Sequence, residues 1–441
     1  MKLSGWGKYP VVDCRLSQPR SEKELADTVI TSKSIARGNG RAYGDSALSR
    51  TNTIDMLKFN HMLSFDPTTG QLVAEAGVLL SDVIAAFLPR GWFPAVTPGT
   101  RFVSLGGMAA ADVHGKNHHI DGSFGNCVDW LDVMGPDGKI TRCSRTENTP
   151  LFEWSIGGMG LTGVILRIAL RLRPVETGWI RQTTHVAQNL DAAIDLFEKS
   201  LDATYSVAWI DCLSTGNALG RSLVMLGEHA TRAEMPVKYH ATPFPSVTTQ
   251  KLSVPFNLPG FCLNQYSVRA FNALYYWNGK RGDPTSYVNW NSYFYPLDSV
   301  LEWNRIYGRQ GFAQFQCVLP LDSARSGLSE MLNNISESGR GSFLAVLKRF
   351  GQQHSRFSFP MEGYTLALDF PISDRSVALI RKLGQITADY GGRIYLAKDS
   401  IMDAQSVRTM DATRVDEFES LRQHNGAAQR FASAQSERLK L

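Results

Sequence analysis

Two glycine-rich loops constrain this chain more than anything else in it. "ARGNGRAYGD" (36 to 45) sets Gly38, Gly40 and Gly44 directly after the strand-like "SIAR", and "TPGTRFVSLGGMAAADVHG" (97 to 115) carries Gly99, Ser104, Gly106 and Gly107 ahead of an alanine run. Glycines this close together let backbone N–H groups turn inward without Cβ clashes, the geometry that cradles a pyrophosphate. The alanine run suits a short, tightly packed helix whose N-terminus attracts phosphate. A Rossmann reading fails on context. The first loop is spaced GxGxxxG and the following "SALSRTNTI" is a poor helix, whereas the dinucleotide fingerprint needs GxGxxG opening a helix. Together the two loops suit one extended, phosphate-bearing cofactor.

Around them, short helices and strands alternate. Residues 22 to 33 read as a helix, "TNTIDML" and "QLVAEAGV" alternate as strands do, and "LLSDVIAAFLPRG" has helical spacing closed by Pro89 and Gly91. "PDG" (136 to 138) reads as a hairpin turn, and "LTGVILRIALRLRPVE" as a strand that runs out at Pro174. Beyond it the elements lengthen: the strands "GFAQFQCVLP" and "YTLALDFPI" flank the helix "SARSGLSEMLNNISES", and "SVALIRKLGQITADYGG" is a second helix. The chain's 441 residues exceed what one core usually serves. An α+β fold in two domains is expected, with a boundary near residue 177 and the later pieces assembled as a sheet with helices on one side. The proline- and aromatic-rich stretch from 240 to 304 has few periodic signals and reads either as a lid or as aromatic core. The tail from 401 to 441 reads as charged helix.

In "DVHGKNHHIDGSFGN" (112 to 126), His114 and His118 hold the i, i+4 spacing of a zinc helix. Yet Gly115 interrupts any helix, no glutamate fills the HExxH position, and Lys116 would set a positive charge beside the cation. No metal is therefore expected. The turn instead presents His114 and Lys116 to an anionic or reduced ligand, braced by His118 and His119.

Lys and Arg exceed Asp and Glu by 46 to 41, in dispersed fashion. That excludes a nucleic-acid-binding arm and mildly favours anionic small molecules or an anionic membrane surface. The six cysteines are scattered without a CxxC pair, so reduced thiols are expected rather than a disulfide framework. "MKLSGWGKYP" has no apolar h-region, and no stretch approaches roughly 18 uninterrupted apolar residues. A cytoplasmic protein is expected, with peripheral contact at the inner membrane face left open.

Taken in order, "RGNGRAYGD", "TPGTRFVSLGGMAAADVHGKNHH", "GSFGN", "GGMGLTG", "FAQFQCVLP" and "GGRIYLAKDS" resemble, over nearly the whole chain, the decaprenylphosphoryl-ribose 2′-oxidase family, flavoproteins of the vanillyl-alcohol-oxidase class. The resemblance implies an FAD-binding domain of PCMH type over residues 1–176, completed by 393–441, and an antiparallel-sheet substrate domain over 177–392 with a mobile lid at 240–304. It implies that Ala36, Arg37, Gly38, Asn39, Gly40 and Arg41, continuing through Ala42, Tyr43, Gly44, Asp45 and Ser46, wrap the FAD pyrophosphate. Gly99, the run Ser104, Leu105, Gly106, Gly107 and the run Ala111, Asp112, Val113, His114 would complete the pocket. Ile165 would line it and Tyr395 would reach it from the C-terminal side. Some relatives attach FAD through a His or Cys of the first loop; positions 36 to 46 contain neither, so non-covalent FAD is expected.

On the substrate side the resemblance implies Tyr43, His114, Lys116, Gln314, Gln316 and Lys398. Oxidising a secondary alcohol removes a proton from O–H and a hydride from C–H, which FAD accepts at N5. Lys398 would orient the hydroxyl and take its proton, its pKa lowered by burial. His114 and Lys116 would balance the negative charge of a phosphate or hydroxyl. Gln314 and Gln316, two apart on a strand, face one way toward ribose hydroxyls. The implied substrate is a polyprenyl-phosphoryl-β-D-ribose, oxidised at C2′ to the keto sugar. A short-chain NAD(P)H-dependent reductase would complete epimerisation to the arabinose form used in the cell envelope. Two departures stand out: Ala367 falls where the family has a reactive cysteine, which implies insensitivity to thiol-directed covalent inhibitors, and Phe294 replaces a tyrosine of some relatives. An oxidase of another sugar, polyol or lactone, and a non-catalytic flavin or lipid-sugar binding protein, remain as alternatives.

Overall fold

The computed structural model describes residues 1–246, 252–259, 263–342 and 344–441. Ser34–Arg37 enters a small parallel sheet, flanking Asn52–Asp55 with Arg15–Ser17 on its other side, and the first glycine loop leaves from its end. A six-stranded antiparallel sheet follows, in the order Ile140–Ser144, Val128–Met134, Val164–Pro174, Gln71–Glu75, Met62–Asp66, with Trp92–Pro94 also paired to Val164–Pro174. The expected hairpin forms at residues 136 to 138, where Gly138 takes a φ of +77° that other residues rarely adopt. Cys143, Leu131, Ile168 and Leu72 fill this sheet's core against the Leu80–Phe87 helix.

The chain leaves that sheet at Pro174 and enters a second one at Trp179. This sheet has eight strands, ordered Thr285–Asn289, Trp179–Ala187, Ser222–His229, Tyr205–Ile210, Val346–Phe350, Gly363–Pro371, Phe312–Pro320 and Arg393–Ile394, with every pairing antiparallel. One face carries Phe315, Cys317 and Leu319, which pack on Ala324, Leu328, Met331 and Leu332 of the Leu321–Ser338 helix. That helical spacing of apolar residues is what drives the helix onto the sheet. The side chains between them, Gln314 and Gln316, face the other way. Residues 393 and 394, expected to open the segment that completes the first domain, are themselves the edge strand of this large sheet, Ile394 opposite Cys317.

The described residues between 240 and 304 form more regular structure than their composition suggests. It contains the Gln265–Arg281 helix, whose Asn264 cap accepts from two backbone N–H groups, and the strand Thr285–Asn289. Trp290, Tyr293, Phe294 and Tyr295 are buried among Phe93 and Tyr205, so this part is aromatic core and not a lid. Residues 247–251 and 260–262 of the expected lid lie outside the described residues. So does Cys262; Cys14, Cys127, Cys143, Cys212 and Cys317 are free thiols. Among the described residues no helix is long and apolar enough to cross a membrane.

The chain closes on itself through Arg438. Its guanidinium donates to Asp45 at 2.6 and 3.2 Å and to Asp399 at 3.0 Å, while both carboxylates are buried. Removing one partner of a buried ion pair leaves charge without compensation. Arg438→Met is expected to cost about 3–5 kcal/mol, read as a lowered thermal unfolding midpoint by circular dichroism, with Arg438→Lys recovering part of it.

Candidate functional site

The first glycine loop and the C-terminal strand-turn touch directly. Tyr43 N–H donates to the Ala397 carbonyl at 3.1 Å, and a Cβ on Gly44 would stand 2.2 Å from the Asp399 carbonyl oxygen, a backbone atom that has nowhere to go. Gly38 abuts the second loop in the same manner, since its Cβ would fall 1.9 Å from Ser104 Oγ, and Asn39 Nδ2 donates to the Phe102 carbonyl at 2.8 Å. Gly40 sits at a φ of +63°, left-handed as its turn requires. Gly99 has open space around it and is not demanded by any close approach.

The N–H groups of Gly38, Asn39, Gly40, Arg41 and Ala42 find no acceptor among the described residues. These residues are half-buried, and successive unpaired N–H groups on a loop can form an anion nest. The residues present thus fit a pyrophosphate. The second loop behaves differently from expectation. Ser104 caps the Leu105–Ala110 helix, but the first-turn donors are spent: Leu105 N–H on Val78 O, Gly106 on Ala76 O, Gly107 on Ser104 Oγ. This helix end supplies shape and close packing in place of free N–H groups.

Other expected cofactor residues divide by what their side chains do. Asp45 faces Arg438, Arg37 donates to the Ser4 carbonyl, and Asp112 accepts from Ser123, the Gly125 N–H and Gln353, so these side chains brace the loops. Leu105, Val113 and Ile165 lie in one apolar cluster. Tyr395 donates to the Ala111 carbonyl at 2.9 Å and stacks on Phe359, and Arg41 lies 4.0 Å over the Trp6 ring.

His114 is buried against Phe350, Phe359 and Tyr395. Burial, with Lys348, His118 and Lys398 adding repulsion, holds its pKa well below the usual imidazole range. It is therefore neutral and does not balance a negative charge, as the sequence suggested. The Gln316 amide lies 2.9 Å from His114 Nε2 and 3.1 Å from Thr365 Oγ1. An amide nitrogen only donates, so the imidazole proton resides on Nδ1, which finds no partner among the described residues. His118 bonds Gln353 at 2.7 Å and packs on Phe350, and His119 bonds the Ala203 carbonyl at 2.7 Å. They brace the turn as expected. Among the described residues no group of three or more His, Cys, Asp or Glu could hold a metal ion.

Lys116 donates to the Tyr293 carbonyl and lies 4.0 Å over the Tyr293 ring. Burial, aided by Lys348, pulls its pKa down to about 7. The Lys398 ammonium lies 3.7 Å from the Tyr43 ring centre. Burial lowers its pKa, Asp369 pulls the other way, and Lys348 pushes further down.

Two of these groups escaped sequence reasoning. Asp369 stands opposite Gln314 in register and accepts from Gln314 Nε2 at 2.5 Å and from the Tyr307 hydroxyl at 3.4 Å. Lys348 stands opposite Thr365, with burial lowering its pKa to about 8. Register places Gln314, Gln316, Ala367, Thr365, Asp369 and Lys348 on one face of the large sheet. The signal was present in "AVLKRF" and "LALDF", where a Lys-Arg pair and a lone Asp interrupt otherwise apolar strands.

A loop of unpaired N–H groups pinned to a partly buried lysine, opposite a sheet face bearing amides and one carboxylate, defines a flavin-dependent oxidoreductase. An FAD binding domain model matches residues 15–144. The decaprenylphosphoryl-β-D-ribose oxidase of Mycolicibacterium smegmatis is 35% identical over 100% of this chain and 97% of its own length. The chain belongs to the decaprenylphosphoryl-β-D-ribose oxidase family. More distantly, a mouse L-gulonolactone oxidase is 27% identical over 44% of this chain and 46% of its own, and cytokinin dehydrogenase 5 of Arabidopsis thaliana 28% identical over 40% and 35%.

Gly44→Ala forces the first loop away from Asp399. Overpacking of this kind costs about 1–3 kcal/mol, so FAD retention is expected to weaken by about tenfold or more, measured as bound flavin absorbance per protein after dialysis.

Proposed function

We propose that this enzyme oxidises the 2′-hydroxyl of a polyprenyl-phosphoryl-β-D-ribose to the 2′-keto sugar. The observation that carries the reading is Lys398 on Tyr43, at the seam between the cofactor loop and the sheet face bearing Gln314 and Gln316. The cofactor residues assigned from sequence, from Ala36 to Ser46, Gly99, from Ser104 to Gly107 and from Ala111 to His114, with Ile165 and Tyr395, form the FAD pocket. The first loop contributes the N–H groups and the rest contribute walls. FAD, held without a covalent link because the first loop has neither His nor Cys, supplies the hydride acceptor when bound.

Lys398 is the general base: in its neutral form Nζ accepts the 2′-hydroxyl proton while the adjacent C–H bond breaks and the C2′=O bond forms. Gln314 and Gln316 hold the ribose hydroxyls. Lys116 and Lys348 meet the phosphodiester, and neutral His114 donates from Nδ1 without adding charge. The mycobacterial relative is named for the decaprenylphosphoryl-ribose that it oxidises. A short-chain NAD(P)H-dependent reductase would then reduce the keto sugar on its other face, giving the arabinose epimer, and a lipid-linked substrate calls for peripheral contact with the membrane that holds it.

The test is an anaerobic visible spectrum before and after adding polyprenyl-phosphoryl-ribose: bleaching supports the reading, and bleaching only by another polyol or lactone replaces it. Lys398→Ala is expected to keep bound flavin and lose substrate-driven reduction by about 10²–10⁴-fold; normal reduction would refute the role.

The pH dependence has a definite sign. The base form lies above the lysine pKa, so reduction rises with pH. Tyr43, Asp369, Lys348 and His114 face this amine. Asp369→Asn removes the charge that raises its pKa, and Lys348→Met removes the one that lowers it. The rising limb is expected to move down by about one pH unit in the first variant and up by about one in the second, measured by stopped-flow flavin reduction; shifts in the same direction would contradict the arrangement.

A further inference from the structure

Between Glu234 and Asp283 the chain has no carboxylate side chain, yet it carries Lys238, Lys251, Arg269, Lys280 and Arg281. The Gln265–Arg281 helix lies within that stretch. Its inner side is fixed to the large sheet: Asn272 donates to Asp211 at 2.7 Å, Tyr275 packs 4.8 Å from Trp209, and Gly279 lets the helix approach Leu223 closely. The outer side is unlike a solvated helix face. Tyr266, Ala270, Ala273 and Trp277 recur at helical spacing and are exposed, Tyr266 by 72% and Trp277 by 48%. Arg269 and Lys280 flank one edge; Leu274, 58% exposed, and Arg281, stacked 4.0 Å over Trp277, flank the other.

Leaving Tyr, Trp and Leu side by side in water has a cost that burial would recover. An aromatic and aliphatic stripe edged only by cations matches a bilayer interface, where rings settle among headgroups and Lys and Arg meet lipid phosphates. The position suits the chemistry. Trp209, under this helix, begins a cross-strand row that continues through Val346 and Ala367 to Gln316, the partner of His114. That row spans three strand spacings, roughly 15 Å.

We propose that the exposed face of the Gln265–Arg281 helix docks on an anionic lipid bilayer and sets the mouth of the active-site chamber against the membrane surface. This deepens the assignment of a lipid-linked substrate, and it can fail or hold independently of it, because the test uses no substrate.

Flavin-loaded protein is floated with vesicles rich in phosphatidylglycerol or made of phosphatidylcholine alone. Wild type is expected to float with the anionic vesicles and to be released by salt. The triple variant Arg269→Gln, Lys280→Gln, Arg281→Gln is expected to partition about a hundredfold more weakly, from about fivefold per cation. Leu274→Asp with Trp277→Ser is expected to abolish flotation at any salt concentration, while both variants keep the wild-type flavin spectrum and melting temperature. Wild type that ignores anionic vesicles overturns the proposal, as do variants that float equally well. So does a dimer, seen by light scattering, that Trp277→Ser disperses while vesicles have no effect. A protein that floats as expected but is not reduced by polyprenyl-phosphoryl-ribose leaves the docking surface intact and removes only the substrate assignment.

Discussion

The Arg438 guanidinium, bridging Asp45 and Asp399, is the interaction on which the site depends. Asp45 ends the first glycine loop and Asp399 follows Lys398. One cation thus ties the first-loop backbone to the turn that carries Lys398, although its partnership with Asp45 spans 393 residues of chain. Burial opposes a charged Arg438, and the two carboxylates outweigh it, so its pKa is raised. Gly44 matters for the same reason: without it the loop could not reach the Asp399 carbonyl, and the clamp would hold two pieces that do not meet.

Lys348 bears on both Lys116 and Lys398 in the site so fixed, and Asp369 is the carboxylate that acts on Lys398. Three ammonium groups cannot all stay charged at this spacing out of water. Burial lowers all three, Lys348 adds repulsion at Lys116 and Lys398, and burial raises Asp369. On the proposed reading an arriving phosphodiester would change that balance, because its charge stabilises the protonated forms of the lysines nearest to it, and Lys398, turned toward Tyr43 and the cofactor loop, would be the amine left to act as base. The work is divided by position, since three identical side chains receive different tasks from the charges beside them.

Much of this was legible. The close-packed glycines of the first loop, the hairpin at 136 to 138, the face shared by Gln314 and Gln316 and the bracing roles of His118 and His119 follow from glycine spacing, turn chemistry and strand period, whereas the spent helix end of the second loop does not. What was not legible depends on register and burial. Nothing local says that Lys348 and Asp369 share a face with Gln316; that requires knowing that Val346–Phe350 pairs with Gly363–Pro371 and the latter with Phe312–Pro320. His114 looked cationic because its burial against Phe350 and Phe359 comes from segments more than two hundred residues away. The 290 to 295 aromatics could be read as lid or as core because their partners, Phe93 and Tyr205, are likewise distant in sequence.

Ala367 shows how register also bears on selectivity. It stands between Val346 and Gln316 in the row that leads from Trp209 to His114. A methyl group there leaves room over the strand where a larger side chain would press on the Gln316 amide. That amide donates to both His114 and Thr365, so its position fixes the imidazole tautomer. Replacing a reactive thiol at this point therefore removes a nucleophile without disturbing the donor network, because no hydrogen bond of the network passes through residue 367.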